Sequence, residues 1–93
     1  MKMFPHFIKY VLEYGFADIL ARPGLDYKTR EMVTIAALTS LGITNQLKLH
    51  IKGAMNLGVT KEEVAEIMIL MGVFSGFPKA VNGTMVLKQV INE

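Results

Sequence analysis

Hydrophobic side chains recur along this chain at spacings of three and four, in blocks divided by glycine and proline. That is the pattern of amphipathic helices. In the first block Pro5 suits an opening helical turn. Phe4, Phe7/Ile8, Val11/Leu12 and Phe16/Ile19 share one side, with Lys9 and Glu13 outward, until Arg22-Pro23-Gly24 breaks the run after about Leu20. Asp26 is placed to cap a second helix from Tyr27 to Leu41, which Gly42 ends. Thr44 is the expected cap of a third, whose inward positions are Leu47, His50/Ile51, Ala54 and Leu57 and whose end is Gly58. Thr60 and Glu63 form a capping box ahead of a fourth helix bearing Val64, Ile67, Met68, Met71 and Phe74. Between Ile67 and Phe74 that helix is apolar on most sides, which suits burial by its own chain and by a second subunit. Gly76-Phe77-Pro78 closes it, and Pro78 starts a last helix through Val81, Met85, Leu87/Lys88 and Ile91. The most strand-tolerant run, Val33 to Leu38, lies between helical caps, and no stretch alternates between hairpin turns. The expectation is one all-α domain, residues 1–93, of about five helices.

Composition changes this picture in one respect. Hydrophobic residues make up 52% of the chain and the mean hydropathy is +0.37, more apolar surface than a small sphere can hide. The longest apolar run, Ile67 to Phe74, is well short of the roughly 20 residues that span a bilayer. Glu13 and Asp18 interrupt any signal-peptide core, and no small-residue cleavage pattern follows. The expectation is therefore a cytoplasmic homo-oligomer without a membrane partner. The absence of cysteine excludes disulfides, thiol redox catalysis and thiolate zinc sites. The seven methionines suit adaptable packing. The net charge is +2 with the basic residues scattered, and the Lys48/Lys52 pair is too small to track phosphates, so nucleic acid is not an expected partner.

Candidate chemistry centres on His50, one of two histidines, set in the apolar stripe of its helix and able as a residue type to move protons near neutrality. A core histidine with one satisfied hydrogen bond is the plain alternative. Glu31 leans towards the apolar face of its own helix through Thr34, Ile35 and Leu38, and a carboxylate there needs a partner. His50, Arg30 and Lys28 are all available. A Glu–His pair would fix the imidazole tautomer; a half-exposed Glu31 beside Lys28 is the competing arrangement. No metal site is expected, since His6 is remote and one His with one Glu is an incomplete ligand set. Ser40 and Ser75 lack a nucleophile-elbow context, and Gly53, Gly58, Gly72 and Gly76 match no phosphate-binding fingerprint.

Four segments in order, Arg22-Pro23-Gly24-Leu25-Asp26, Thr29 to Leu38, Gln46 to Ala54 and Gly76 to Asn82, resemble the carboxymuconolactone decarboxylase family from about Phe16 to the C-terminus. The chain has fewer residues before the first shared segment than members of that family usually carry. The resemblance extends to the alkylhydroperoxidase D-like proteins, whose peroxidase branch carries Cys-x-x-Cys-x-x-x-His with a glutamate upstream. Aligned on His50, the cysteine positions are Ile43 and Gln46, while Glu31 falls at the upstream glutamate. Without the thiols, peroxide reduction by that route is excluded. The decarboxylase branch implies a carboxylated γ-lactone of the 4-carboxymuconolactone type, from aromatic-acid breakdown, as substrate. Carbon dioxide loss sends electrons through the ring double bond to the lactone carbonyl, so the substrate is its own electron sink and no cofactor is implied. On that reading His50 is the acid that protonates the dienolate carbon and Glu31 orients it. Arg22 or Arg30 holds the carboxylate of the small anionic substrate, and Gln46 donates a hydrogen bond; the plain alternatives are a surface helix residue for Arg30 and a turn-anchoring contact for Arg22. The family also implies an even-numbered ring, a hexamer. The alternatives are a non-catalytic binding or assembly protein on the same scaffold, with His50 packed and no cavity beside it, or another small-acid lyase or isomerase using the same dyad.

Overall fold

The computed structural model describes residues 5–93, apart from the side chains of Phe16 and Ala17, and all regular structure among them is helical. Phe4 and the Phe16 side chain, both placed on the first apolar stripe, lie outside the described set. Helix α1 (Pro5–Tyr10) runs directly into a π-type helix, Val11–Leu20, followed by α2 (Tyr27–Leu41), α3 (Thr44–Asn56), α4 (Lys61–Phe74) and α5 (Phe77–Ile91).

The caps largely follow the sequence. The Asp26 carboxylate accepts the Thr29 amide at 2.7 Å, which holds its pKa below the ordinary 3.8. Gly42 closes α2 in the left-handed conformation, φ 74°, at no steric cost to a residue lacking Cβ. Thr60 and Glu63 complete the reciprocal capping box ahead of α4, at 2.9 and 3.0 Å. At α3 the expectation is corrected. Thr44 is already helical, and Ile43 occupies the cap without a side-chain hydrogen bond.

The core joins four helices: Ile35 from α2, Leu47, Ile51 and Ala54 from α3, Val64 and Met68 from α4, and Val86 and Leu87 from α5, with Val59 from the α3–α4 turn. Thr39 is the buried polar member; its hydroxyl donates to the Ile35 carbonyl at 2.7 Å, so burial leaves it satisfied. Helix α5 buries Leu87 as expected but otherwise turns a different face inward. Ala80, Gly83, Val86 and Leu87 are buried, whereas Val81, Met85 and Ile91 are exposed. Gly83 is the reason: a Cβ there would lie 2.6 Å from Met68 Sδ and 2.9 Å from Thr39 Cγ2, so only a glycine lets α5 approach this closely. Leu57, expected inward on α3, is exposed as well.

The N-terminal segment departs most from expectation. One α-helix with a 3.6-residue stripe is predicted from Pro5 to Leu20; instead the coil widens after Tyr10. None of α1 is buried, and Phe7, Tyr10, Leu12, Tyr14 and Ile19 are exposed. The segment forms an arm on a four-helix body. No helix among the described residues is long and apolar enough to cross a membrane.

Candidate active site

Glu31 stands on the second turn of α2, one turn before buried Ile35. His50 stands in the middle of α3, immediately before buried Ile51. Packing Ile35 and Ile51 into the same core sets the neighbouring polar residues at the margin of the helix interface. There His50 Nδ1 lies 2.8 Å from Glu31 Oε2, and both side chains are a little over one-fifth exposed. Glu31 thus meets His50 rather than Lys28.

An ionised carboxylate only accepts, so the Nδ1–H donates and the tautomer is set. The imidazole then presents Nε2 on its far side. Every buried side-chain nitrogen and oxygen among the described residues has a partner, and His50 makes its hydrogen bond through Nδ1. Nε2 is therefore the end of the ring that reaches solvent.

A hollow of about 180 Å³ adjoins Glu31, lined by Leu20, Ala21, Tyr27, Arg30, Glu31 and Leu57. Its roof is the turn after the π-type helix, and Arg30 holds that turn. The guanidinium donates from Nε to the Leu25 carbonyl and from Nη1 to the Ile19 carbonyl, each at 3.1 Å, and from Nη2 to the Arg22 carbonyl. Three of its five N–H groups are so committed, leaving one on each terminal nitrogen. Arg30 is thereby a wall of the hollow and an anchor of its roof. Arg22 supplies a carbonyl to that anchor and is itself exposed. Gln46, also exposed, lies one turn before His50 on α3. Ile43 and Gln46, the positions of the absent thiols, are both at the surface of the α3 N-terminal turn.

Tyr27 escaped the sequence reading. It lies one turn before Glu31, and that four-residue spacing was the available signal that both face one hollow. The grip of Arg30 on the turn had no such signal, because it depends on the path of residues 19–25. The remaining charge cluster lies on another face of α3. Lys48 and Lys52 bind the two oxygens of Glu93 at 2.6 and 2.5 Å, and these hydrogen bonds hold the Glu93 carboxyl below its ordinary 4.5.

Comparison with known proteins adds an independent line. The carboxymuconolactone decarboxylase family model matches residues 5–89. The chain is 35% identical over 72 residues to the 4-carboxymuconolactone decarboxylase of Acinetobacter baylyi, covering 77% of this chain and 54% of that protein. It is 31% identical over 83 residues to the nitrosuccinic acid decarboxylase of Metarhizium robertsii, covering 89% and 58%. It is 38% identical over 79 residues to an uncharacterized 15.0 kDa protein of Paracoccus denitrificans, covering 83% and 59%. The chain thus spans somewhat over half the length of these curated relatives.

Proposed function

The chain belongs to the carboxymuconolactone decarboxylase family, and from that premise we propose that it decarboxylates a small carboxylic acid whose own functional group absorbs the electrons, with His50 returning the proton to carbon. The observation that carries this reading is the 2.8 Å contact between His50 Nδ1 and Glu31. It leaves the other ring nitrogen for chemistry; the hollow is lined by the partner carboxylate, Glu31, and not by His50 itself.

The names of two relatives support a substrate class. One acts on 4-carboxymuconolactone, the other on nitrosuccinic acid. In each the bond to a departing carboxylate can break with its electron pair delocalised, into a vinylogous lactone carbonyl or into a nitro group. The shared requirement is a sink carried by the substrate, which makes an added cofactor unnecessary for this step. The protein's tasks are then to hold the anion, to solvate the oxygen on which charge develops, and to deliver a proton.

In the proposed cycle the carboxylate rests near Arg22 and the uncommitted N–H groups of Arg30. The Tyr27 phenol or the Gln46 amide donates to the developing oxyanion. The carbon–carbon bond breaks, carbon dioxide leaves, and the pair passes to the conjugated oxygen. His50 acts in this step as the imidazolium. Its Nδ1–H stays on Glu31, and its Nε2–H passes to the resulting carbanion carbon. The ring is left as the neutral Nδ1–H tautomer, and a proton taken up from solvent restores the cation for the next turnover. Aromatic-acid catabolism in the cytoplasm is the setting this substrate class suggests.

A second reading, a non-catalytic assembly protein, is favoured by the size of the hollow, which falls below the ~300 Å³ at which small-molecule pockets usually begin. Incubating folded protein with 4-carboxymuconolactone and, separately, with nitrosuccinate while recording carbon dioxide release separates the two. Release with either acid, abolished in His50→Ala, supports the lyase; no release with both leaves the assembly reading.

A further inference from the structure

In the proposed decarboxylation His50 acts as an acid. The same geometry also makes it a base. In the neutral ring the single N–H is committed at Nδ1, 2.8 Å from Glu31 Oε2, so Nε2 carries the lone pair. No donor among the described residues occupies that lone pair.

A base held in this way strengthens as it takes up its proton. Once Nε2 is protonated the ring is an imidazolium, and its Nδ1–H faces a carboxylate at charge-assisted hydrogen-bond distance. Both side chains are a little over one-fifth exposed. Water therefore screens the pair less than it would two surface charges, yet still reaches the ring to exchange its proton.

The other polar clusters are closed on themselves. Ser40 and Ser75 bond each other and the Met71 sulfur where α2 and α4 end. Lys79 donates to the Ser40 carbonyl, and Glu93 holds Lys48 and Lys52. The Nε2 lone pair, by contrast, faces outward with its partner already in place.

Microscopic reversibility joins the two directions. A group that protonates a carbanion carbon is, in its neutral form, the base that removes the same proton. That reaction needs no departing carboxylate, only a C–H bond beside the group that takes the electron pair. We propose that the protein also exchanges the C–H proton of small carbon acids whose anion is delocalised into a nitro group or a conjugated lactone carbonyl, with His50 Nε2 as the base and Glu31 as its positioning residue. The inference rests on the acid role given to His50 in the decarboxylase reading and extends it to molecules with no carboxylate to lose at that carbon.

The step balances without a co-reactant. The C–H bond breaks, its electron pair passes to the nitro or carbonyl oxygen, and the proton becomes the Nε2–H of an imidazolium. That proton exchanges with solvent. The return step re-forms the bond to carbon and leaves the neutral Nδ1–H tautomer. Because α2 and α3 together fix the ring, Nε2 meets a methylene group from one side and takes one of its two hydrogens.

The probe is 3-nitropropanoate, which nitrosuccinate, the acid named for one relative, becomes on losing the carboxyl group beside its nitro group. The full chain is incubated with it in deuterium oxide, and proton NMR follows the carbon bearing the nitro group. Exchange should be about a hundredfold or more faster than in buffer alone, should level at one deuterium per molecule, and should be lost in His50→Ala. Circular dichroism reports folding, and His50→Gln gives the reading if His50→Ala unfolds. Glu31→Gln should slow exchange by less than the loss of His50 does. Exchange no faster than in buffer overturns the proposal; if the same preparation releases carbon dioxide from nitrosuccinate, the decarboxylase reading stands without it. Exchange that requires His50, with no carbon dioxide released, upholds the proton transfer and removes the decarboxylase. Exchange that survives in folded His50 variants but disappears in Glu31→Gln places the base on the carboxylate and overturns the assignment. Entry of two deuterons at one rate overturns it as well, since it shows a base free to approach from either side.

Discussion

Glu31 Oε2 and His50 Nδ1 meet at 2.8 Å although 19 residues separate them in sequence. Neither helix makes the dyad alone. It exists because Ile35 and Ile51 are drawn into one core and leave a polar contact at its margin.

Glu31→Gln tests what the contact does. The amide keeps the size of the side chain and can accept from Nδ1–H, but it no longer stabilises an imidazolium. On the proposed function turnover should fall by a factor of about ten to a hundred, less than the roughly 10²–10⁴-fold expected if His50→Ala removes the proton donor. Thermal stability should change by no more than about 1 kcal/mol. Steady-state kinetics beside a melting curve separates the effects; equal kinetic losses in both variants would contradict an orienting role for Glu31.

Arg30→Lys should loosen the roof of the hollow. One ammonium cannot satisfy carbonyls at Ile19, Arg22 and Leu25 together. The expected cost is about 1 kcal/mol of stability, with faster amide exchange in residues 19–26 than in α3. Hydrogen exchange read by mass spectrometry checks it, and unchanged protection of that turn would remove the anchor from the account.

Two glycines should respond oppositely to alanine. Gly83→Ala pushes a methyl against Met68 and Thr39, both buried, and should destabilise by about 1–3 kcal/mol despite the better helix propensity. Gly72→Ala meets only the Phe77 ring, with its nearest atom at 2.8 Å, and that ring is exposed enough to swing aside. It should be neutral or stabilising by up to about 1 kcal/mol. Urea unfolding of the pair is a direct comparison, and a Gly83→Ala variant as stable as wild type would contradict the close approach of α5.

Acid should weaken the fold through three surface carboxylates. The Thr29 backbone amide lowers the pKa of Asp26, the Thr60 backbone amide that of Glu63, and hydrogen bonds from Lys48 and Lys52 that of Glu93. A carboxyl with a depressed folded-state pKa contributes its stability in full above its ordinary value and loses it as pH falls through the lowered one. Melting temperature should therefore hold down to about pH 5 and then decline towards about pH 2, with a smaller decline in Asp26→Ala and Glu63→Gln. Variants that follow the wild-type curve would assign the acid response elsewhere.

Much of this was legible in the residues, and what was not has physical reasons. Caps are local, so Asp26, Gly42 and the Thr60–Glu63 box could be read from a few neighbours. The contact of Glu31 with His50 was one of two arrangements that the half-polar stripes on consecutive helices allowed, the other pairing Glu31 with Lys28, and the packing of α2 on α3 selected it. The inward face of α5 did not, because Val81 and Met85 are larger and more apolar than Gly83, yet close packing selected the glycine side. The widened coil after Tyr10 is likewise invisible to a periodicity that assumes 3.6 residues per turn. The resemblance offered Arg22 or Arg30 as the substrate clamp; the bonds of Arg30 to three carbonyls depend on a turn whose path no local pattern encodes.

A dyad suspended between two helices also acts as a gauge of how those helices are seated. Trimming Ile35 or Ile51 by a single methyl would let α2 and α3 settle slightly against each other, a shift of tenths of an ångström that the fold tolerates and a proton transfer does not. If the proposed proton transfer is the protein's task, catalytic decline should then precede any loss of folding, so that a worn interior announces itself first in chemistry.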